Sequence, residues 1–193
     1  MSGPFVLATA NPGKVIEIRA LLDGVDLVAR PAGVPDVVED GETLLDNARL
    51  KAVALVEATG LAAIADDTGL EVDALDGAPG VRSARYAGEQ ASFDDNVTKL
   101  LAAMAGVPGP ERTARFRTVA LLRRPDGSEM VAEGVVEGVI STERTGEGGF
   151  GYDPVFRPLE CGGRSFAELA LDEKNAVSHR GRAFRELHRL LGG

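Results

Sequence analysis

The sequence predicts an α/β fold: an elongated mixed β-sheet in two lobes, flanked by helices. Three observations predict it. Short apolar runs alternate with helix-period segments through the first half, two long strand-like runs follow one another late, and a helical pattern closes the chain. The 193 residues suit a single domain, 1–193, made of two tightly joined lobes.

The elements follow in order. Pro4 to Thr9 is an apolar run that ends at a polar turn, Ala8-Thr9-Ala10-Asn11-Pro12-Gly13-Lys14, so it reads as a buried strand. A helix is expected from about Gly13, with Val15, Ile18, Leu21 and Leu22 on one face. Asp26 to Ala29 fits a short second strand. Thr43 to Ala58 is helical in pattern, with Thr43 as N-cap and Asp46 at the third helical position. Leu61 to Ala65 reads as a small strand ending at Asp66 and Asp67. Asp76 to Gly88, rich in Gly, Pro and Arg, is expected to be a loop, and helical period returns from Asn96 to Met104. Thr113 to Arg123 and Glu129 to Ile140 form two long strands joined across Pro125-Asp126-Gly127-Ser128. A Gly-rich loop follows from Gly146 to Gly151, and a last helix runs from about Ser178 to Leu191.

Composition narrows the function. With 44% hydrophobic and 26% charged residues the chain reads as an ordinary globular protein. Aromatic residues make up 5% and Trp is absent, so the core is expected to rest on Val, Leu, Ile and Ala. No apolar run approaches the roughly 20 residues that cross a bilayer, and the N-terminus lacks the basic region of a signal peptide. The lone Cys161 excludes an internal disulfide and fits a cytoplasmic location. A net charge of −9 argues against binding a nucleic-acid backbone. It leaves room for a polyphosphate held by local cations, backbone N–H groups and a divalent metal.

Four constellations carry chemistry. In Thr9 to Lys14 a strand stops and a helix starts; first-turn N–H groups and Lys14 together suit an anion, although GxxxxGK[ST] spacing is absent. Glu39 and Asp40 precede Gly41, while Asp66 and Asp67 adjoin a buried strand. Two adjacent acids on an extended chain point to opposite sides, so one faces the site and the other is structural. Hard cations such as Mg²⁺ take one or two carboxylates and keep room for water and phosphate. In Gly148-Gly149-Phe150-Gly151-Tyr152-Asp153 the glycines let backbone approach a ligand, the aromatics can stack on a base, and Asp153 can accept from a base edge or sugar. In Lys174 to Gly181, Ser178 is a helix N-cap that leaves His179 and Arg180 in the first turn. Cations are disfavoured there unless an anion or a base carbonyl is bound. No Ser-His-Asp or Cys-His arrangement stands out, and the two histidines lack zinc spacing.

These segments resemble the inosine triphosphate pyrophosphatase family. The resemblance is carried by LATANPGK, VEDGETLLDNARLKA, AIADDTGLEVDALDGAPGVRSARYAGE, GEGGFGYDPVF and DEKNAVSHRGRA, in the family's order over almost the whole chain. It implies an active site in the cleft between the lobes and a homodimer. It also implies that Glu39 and Asp67 hold Mg²⁺, and that Asp67 is the proton acceptor with Asp66 its acidic neighbour. Thr9, Ala10, Asn11, Pro12, Gly13 and Lys14 would bind substrate, with Lys14 and Lys51 on the phosphates. Thr68 would contact substrate where many relatives carry Ser, and Ala10 stands where many carry Gly. Phe150, Gly151, Tyr152 and Asp153 would surround the base, and Lys174, His179 and Arg180 would complete the purine pocket.

The reaction implied is attack of water on the α-phosphorus of ITP, dITP or XTP, releasing pyrophosphate and a nucleoside monophosphate. Asp67 takes the water's proton directly or through the metal. Purine choice is expected to come from donors facing the six-position carbonyl, because adenine would leave them unpaired at a cost of roughly 1–3 kcal/mol each. Two alternatives stay open: a pyrophosphatase for another nucleotide class, and a nucleotide sensor that does no chemistry.

Overall fold

The computed structural model describes residues 3–192; Met1, Ser2 and Gly193, the outermost residues of the expected domain, lie outside this range. Seven strands form one mixed sheet. They are β1 (Phe5–Leu7), β2 (Leu27–Val28), β3 (Ala62–Val72), β4 (Pro79–Gly80), β5 (Thr113–Arg123), β6 (Glu129–Ile140) and β7 (Phe156–Pro158). Their order is β2-β1-β3-β5-β6-β7, with β4 paired to β3. β1 lies parallel to β2 and to β3, whereas β3/β4 and β6/β7 are antiparallel. Five helices accompany the sheet: α1 (Pro12–Leu21), α2 (Leu44–Thr59), α3 (Phe93–Ala103), α4 (Leu171–Val177) and α5 (His179–Gly192).

The chain divides into two compact units. One comprises the residues up to Asp67, Thr118–Gly134 and the chain from His179; the other comprises Thr68–Arg117 and Val135–Ser178. Within the first, Phe5, Leu7, Ile18, Leu22, Ile64 and Phe184 are among the residues of an apolar cluster drawn from β1, α1, β3 and α5. The core of the second is mostly aliphatic, as expected, around a group of aromatics. Phe116, Phe156 and Phe166 pack as a trio, with the first two rings edge-on at 4.7 Å, and Tyr152 joins the same cluster. Aromatics thus contribute to both cores, where each covers more apolar area than an aliphatic side chain.

Several elements form for the reasons their sequences suggest. Thr43 caps α2 and, with Asp46, closes a capping box; the Thr43 hydroxyl accepts from the Asp46 N–H at 3.1 Å. β5 and β6 have the expected limits and are joined through a turn in which Asp126 accepts from the Ser128 N–H. α1 starts at Pro12, one residue earlier than expected, since proline's fixed φ suits the first helical position.

Other elements differ. β3 does not end at Asp66 and Asp67 but runs through them to Val72. Both aspartates are buried, and charged partners make mid-strand carboxylates tolerable. α3 starts at Phe93 rather than Asn96, because Ser92 and Asp95 form a capping box ahead of the apolar period. The loop from Asp76 to Gly88 contains β4 and a 3₁₀ turn at Ser83–Arg85. Ser178 caps the C-terminal end of α4, a helix the apolar pattern does not reveal, and α5 then begins at His179.

Candidate active site

β3 places the two acids on opposite faces. Asp66 shares the face of Ile64, whose neighbours include α1 and α5, and it meets cations from those helices. Lys14 Nζ lies 3.0 Å from Asp66 Oδ2, and Arg180 Nε and Nη2 lie 3.4 Å from the same oxygen. Arg180 Nη1 also donates to Glu17 Oε2 at 2.5 Å. Burial alone would push the Asp66 carboxyl up; Lys14, Arg180 and Lys51 outweigh it and hold the carboxyl below the usual carboxylate range. Burial pushes the Lys14 ammonium down, and Lys51 and Arg180 act in the same direction against Asp66.

Asp67 faces α2. Lys51 Nζ lies 2.9 Å from Asp67 Oδ1 and 3.3 Å from Glu39 Oε2, and Asn47 Nδ2 donates to Asp67 Oδ2 at 3.3 Å. Burial opposes the Lys51 charge, yet Asp67, Asp66 and Glu39 together raise its pKa. The Asn47 amide is oriented because its Oδ1 accepts the Gly41 N–H at 2.9 Å. Gly41 is needed for that approach, since a Cβ would fall 2.7 Å from Asn47 Oδ1. Glu39 and Asp67 therefore converge on one cation.

The start of α1 is already partly satisfied. Asn11 Oδ1 accepts from the Gly13 and Lys14 N–H groups at 2.9 and 3.3 Å, and Thr9 Oγ1 accepts from the Asn11 N–H. Ala10 and Pro12 are exposed, and Ala10 is not in the left-handed region, so an alanine costs nothing there. A pocket of about 430 Å³ opens beside Thr9 and Ala10, with Leu7, Val15, Arg30 and Val34 among its walls. That volume falls in the range of small-molecule sites.

In the second unit, Lys174 Nζ lies 2.6 Å from Asp153 Oδ2 and 4.7 Å from the centre of the Phe150 ring. Asp153 Oδ2 also accepts the Phe150 N–H at 2.8 Å, closing the turn through Gly151. Phe150 stays half-buried and meets the exposed Phe93 ring at 6.1 Å. Tyr152 is different: its ring belongs to the core and its hydroxyl donates to the Ser83 carbonyl at 2.9 Å. Thr68, next along β3, is half-buried.

The structure thus gathers Lys14, Asp66 and Arg180 in one cluster, Glu39, Lys51 and Asp67 in a second, and Phe150, Asp153 and Lys174 in a third. His179 is buried at the start of α5. Sequence reasoning missed Asn47 and Glu17. Asn47 precedes Lys51 by four residues and so shares its helix face, and Glu17 follows Lys14 by three; those spacings were the available signal.

The fold and its clusters define a mixed α/β protein with adjacent buried aspartates paired to lysines. The comparisons fix the family: residues 5–190 match the Ham1 family, and the chain belongs to it. It is 50% identical over 188 residues to the dITP/XTP pyrophosphatase of Streptomyces coelicolor, covering 94% of each chain. It is 51% identical over 190 residues to the protein of the same name from Desulforamulus reducens, covering 96% of this chain and 94% of that one. A solved HAM1 protein from Coxiella burnetii superposes with a TM-score of 0.88 at 39% identity, over 99% of both chains. A nucleoside-triphosphatase / dITP/XTP pyrophosphatase from Mycobacterium abscessus gives a TM-score of 0.76 at 44% identity, over 96% of this chain and 98% of that one. Among the described residues no helix is long and apolar enough to cross a membrane.

Proposed function

We propose that this chain hydrolyses the non-standard purine nucleotides dITP, XTP and ITP to a nucleoside monophosphate and pyrophosphate. The observation that carries the reading is the convergence of Glu39 and Asp67 on the Lys51 ammonium, on a strand whose other face pairs Asp66 with Lys14. The names of the relatives, at about half-identical sequence over nearly the full length, supply the substrate class.

The donor set suits Mg²⁺. Among the described residues no group of three or more His, Cys, Asp or Glu side chains assembles as a metal cage. Two carboxylates with room for water and phosphate oxygens fit a cation that keeps much of its hydration. Glu39 and Asp67 would hold the ion, which when bound offsets polyphosphate charge and polarises the reacting phosphoryl group. Asp67 accepts a proton from the attacking water, while Asn47 fixes Oδ2. The water oxygen bonds to the α-phosphorus, the bond to the bridging oxygen breaks, and pyrophosphate leaves. Lys14, Lys51 and the Thr9–Lys14 segment serve the phosphates.

Phe150 and its turn, with Gly151, Asp153 and Lys174, serve the base, and Tyr152 supports that turn from the core; His179 and Arg180 are assigned to the substrate as well, and Thr68 adds a hydroxyl. Donors paired with a six-position carbonyl would be left facing an amino group by adenine, which disfavours ATP. The active form is expected to be a homodimer, which light scattering would check. Hydrolysis in ¹⁸O water tests the chemistry: label in the monophosphate fits attack at the α-phosphorus, and label in pyrophosphate would overturn that step.

A further inference from the structure

The first cluster brings the positive charges of Lys14 and Arg180 against the negative charges of Asp66 and Glu17. Glu17 is nearly as buried as Arg180, and Lys14 is the most exposed of the four. Glu17 lies on α1 between the exposed Ile16 and the buried Ile18, and its side chain is 4% exposed. Arg180, 163 positions away on α5, donates to it from Nη1 at 2.5 Å. That contact takes one edge of a planar guanidinium and leaves Nε and Nη2 turned to Asp66. A buried glutamate is costly unless it is paired, and here the pairing is with a guanidinium that also bonds Asp66.

We propose that Glu17 is a positioning residue of the active site, acting through Arg180. By fixing the guanidinium it sets how Asp66 divides itself between Arg180 and Lys14, and therefore where the Lys14 ammonium stands when a triphosphate arrives. Without Glu17, Arg180 loses the acceptor that holds its Nη1, and Lys14 loses its fixed place. The inference rests on the proposed reaction, because Lys14 and Arg180 are there assigned to substrate.

The test is a double-mutant cycle in kcat/KM for XTP with Glu17→Met, Arg180→Met and the double variant, each checked for native circular dichroism. Glu17→Met is expected to lower kcat/KM by about 100-fold, the scale of a misplaced catalytic group. Glu17→Gln keeps an acceptor for Nη1 and is expected to recover most of that loss. The double variant is expected to be no worse than Arg180→Met alone. Should Glu17→Met fail to fold, the cycle is run with Glu17→Gln, whose smaller loss must likewise vanish beside Arg180→Met. Additive losses, or folded Glu17 variants with wild-type kcat and KM, would overturn the proposal. Absence of XTP turnover by the unaltered protein would instead sink the reaction on which it rests.

Discussion

The Lys51 ammonium sits 2.9 Å from Asp67 and occupies the place where a second carboxylate, Glu39, also points. Two anions share one cation, so this cluster carries a net negative charge that a divalent ion can answer. Lys51→Met leaves both carboxylates without their counter-ion. Breaking such a largely buried pair costs about 3 kcal/mol, which for a chain of this size lowers Tm by roughly 6–12 °C. Added Mg²⁺ is expected to raise the variant's Tm by more than the wild type's. Equal Mg²⁺ shifts in the two proteins would contradict the assignment of Glu39 and Asp67 as metal ligands.

Gly149 guards the second unit's cluster. Its φ is +72°, and an added Cβ would come within 2.1 Å of Asp153 Oδ2, the atom that bonds both Lys174 and the Phe150 N–H. Gly149→Ala combines left-handed strain with displacement of that carboxylate, together about 2–4 kcal/mol. Calorimetry should show the lower Tm, and KM for XTP should rise more than kcat falls. A variant matching wild type in both would remove Asp153 from the base-binding account.

Asp66 gives the protein a specific acid sensitivity. Its folded pKa lies below the ordinary carboxylate value, so it binds protons more readily when unfolded. Its stabilising contribution is complete above that value and is lost as pH falls through the depressed folded pKa. Denaturant unfolding from pH 7 down to 3 should show wild-type stability falling more steeply below pH 4 than that of Asp66→Asn. The variant starts lower at pH 7 because Lys14 and Arg180 lose a charged partner. Parallel curves would refute the linkage.

The lone thiol is expected to be slow to react. Burial pushes the Cys161 pKa up from its ordinary value, with Arg164 only partly opposing it, so the thiolate fraction at pH 8 is below that of a free cysteine. Alkylation at pH 8 should run slower than with glutathione and gain rate as pH rises. A rate at or above that of glutathione would contradict the burial effect.

Sequence made some of this legible for local reasons. The α2 cap and the β5–β6 turn depend on residues a few positions apart, and both were readable. The alternation of Asp66 and Asp67 follows from strand geometry alone, and the two do face different helices. The length of β3 was not legible, because burying those aspartates requires Lys14, Arg180, Lys51 and Asn47 from three distant helices. α4 was hidden for a related reason: its buried Lys174 and Asn175 break the apolar period, and the anion that justifies Lys174 is Asp153, 21 positions earlier. Likewise Arg180, which its place in a first turn predicts to meet a ligand's anion or a base carbonyl, has Asp66 and Glu17 already beside it.

The central claim is the reaction itself, and the most direct measurement is pyrophosphate release from dITP, XTP, GTP, ATP and dTTP with Mg²⁺, beside Asp67→Asn. The account expects rapid release from dITP and XTP, little from the other three, and loss of turnover by at least about 100-fold in the variant. Preferred turnover of dTTP, or none of dITP and XTP by folded, Mg²⁺-supplied protein, would contradict it.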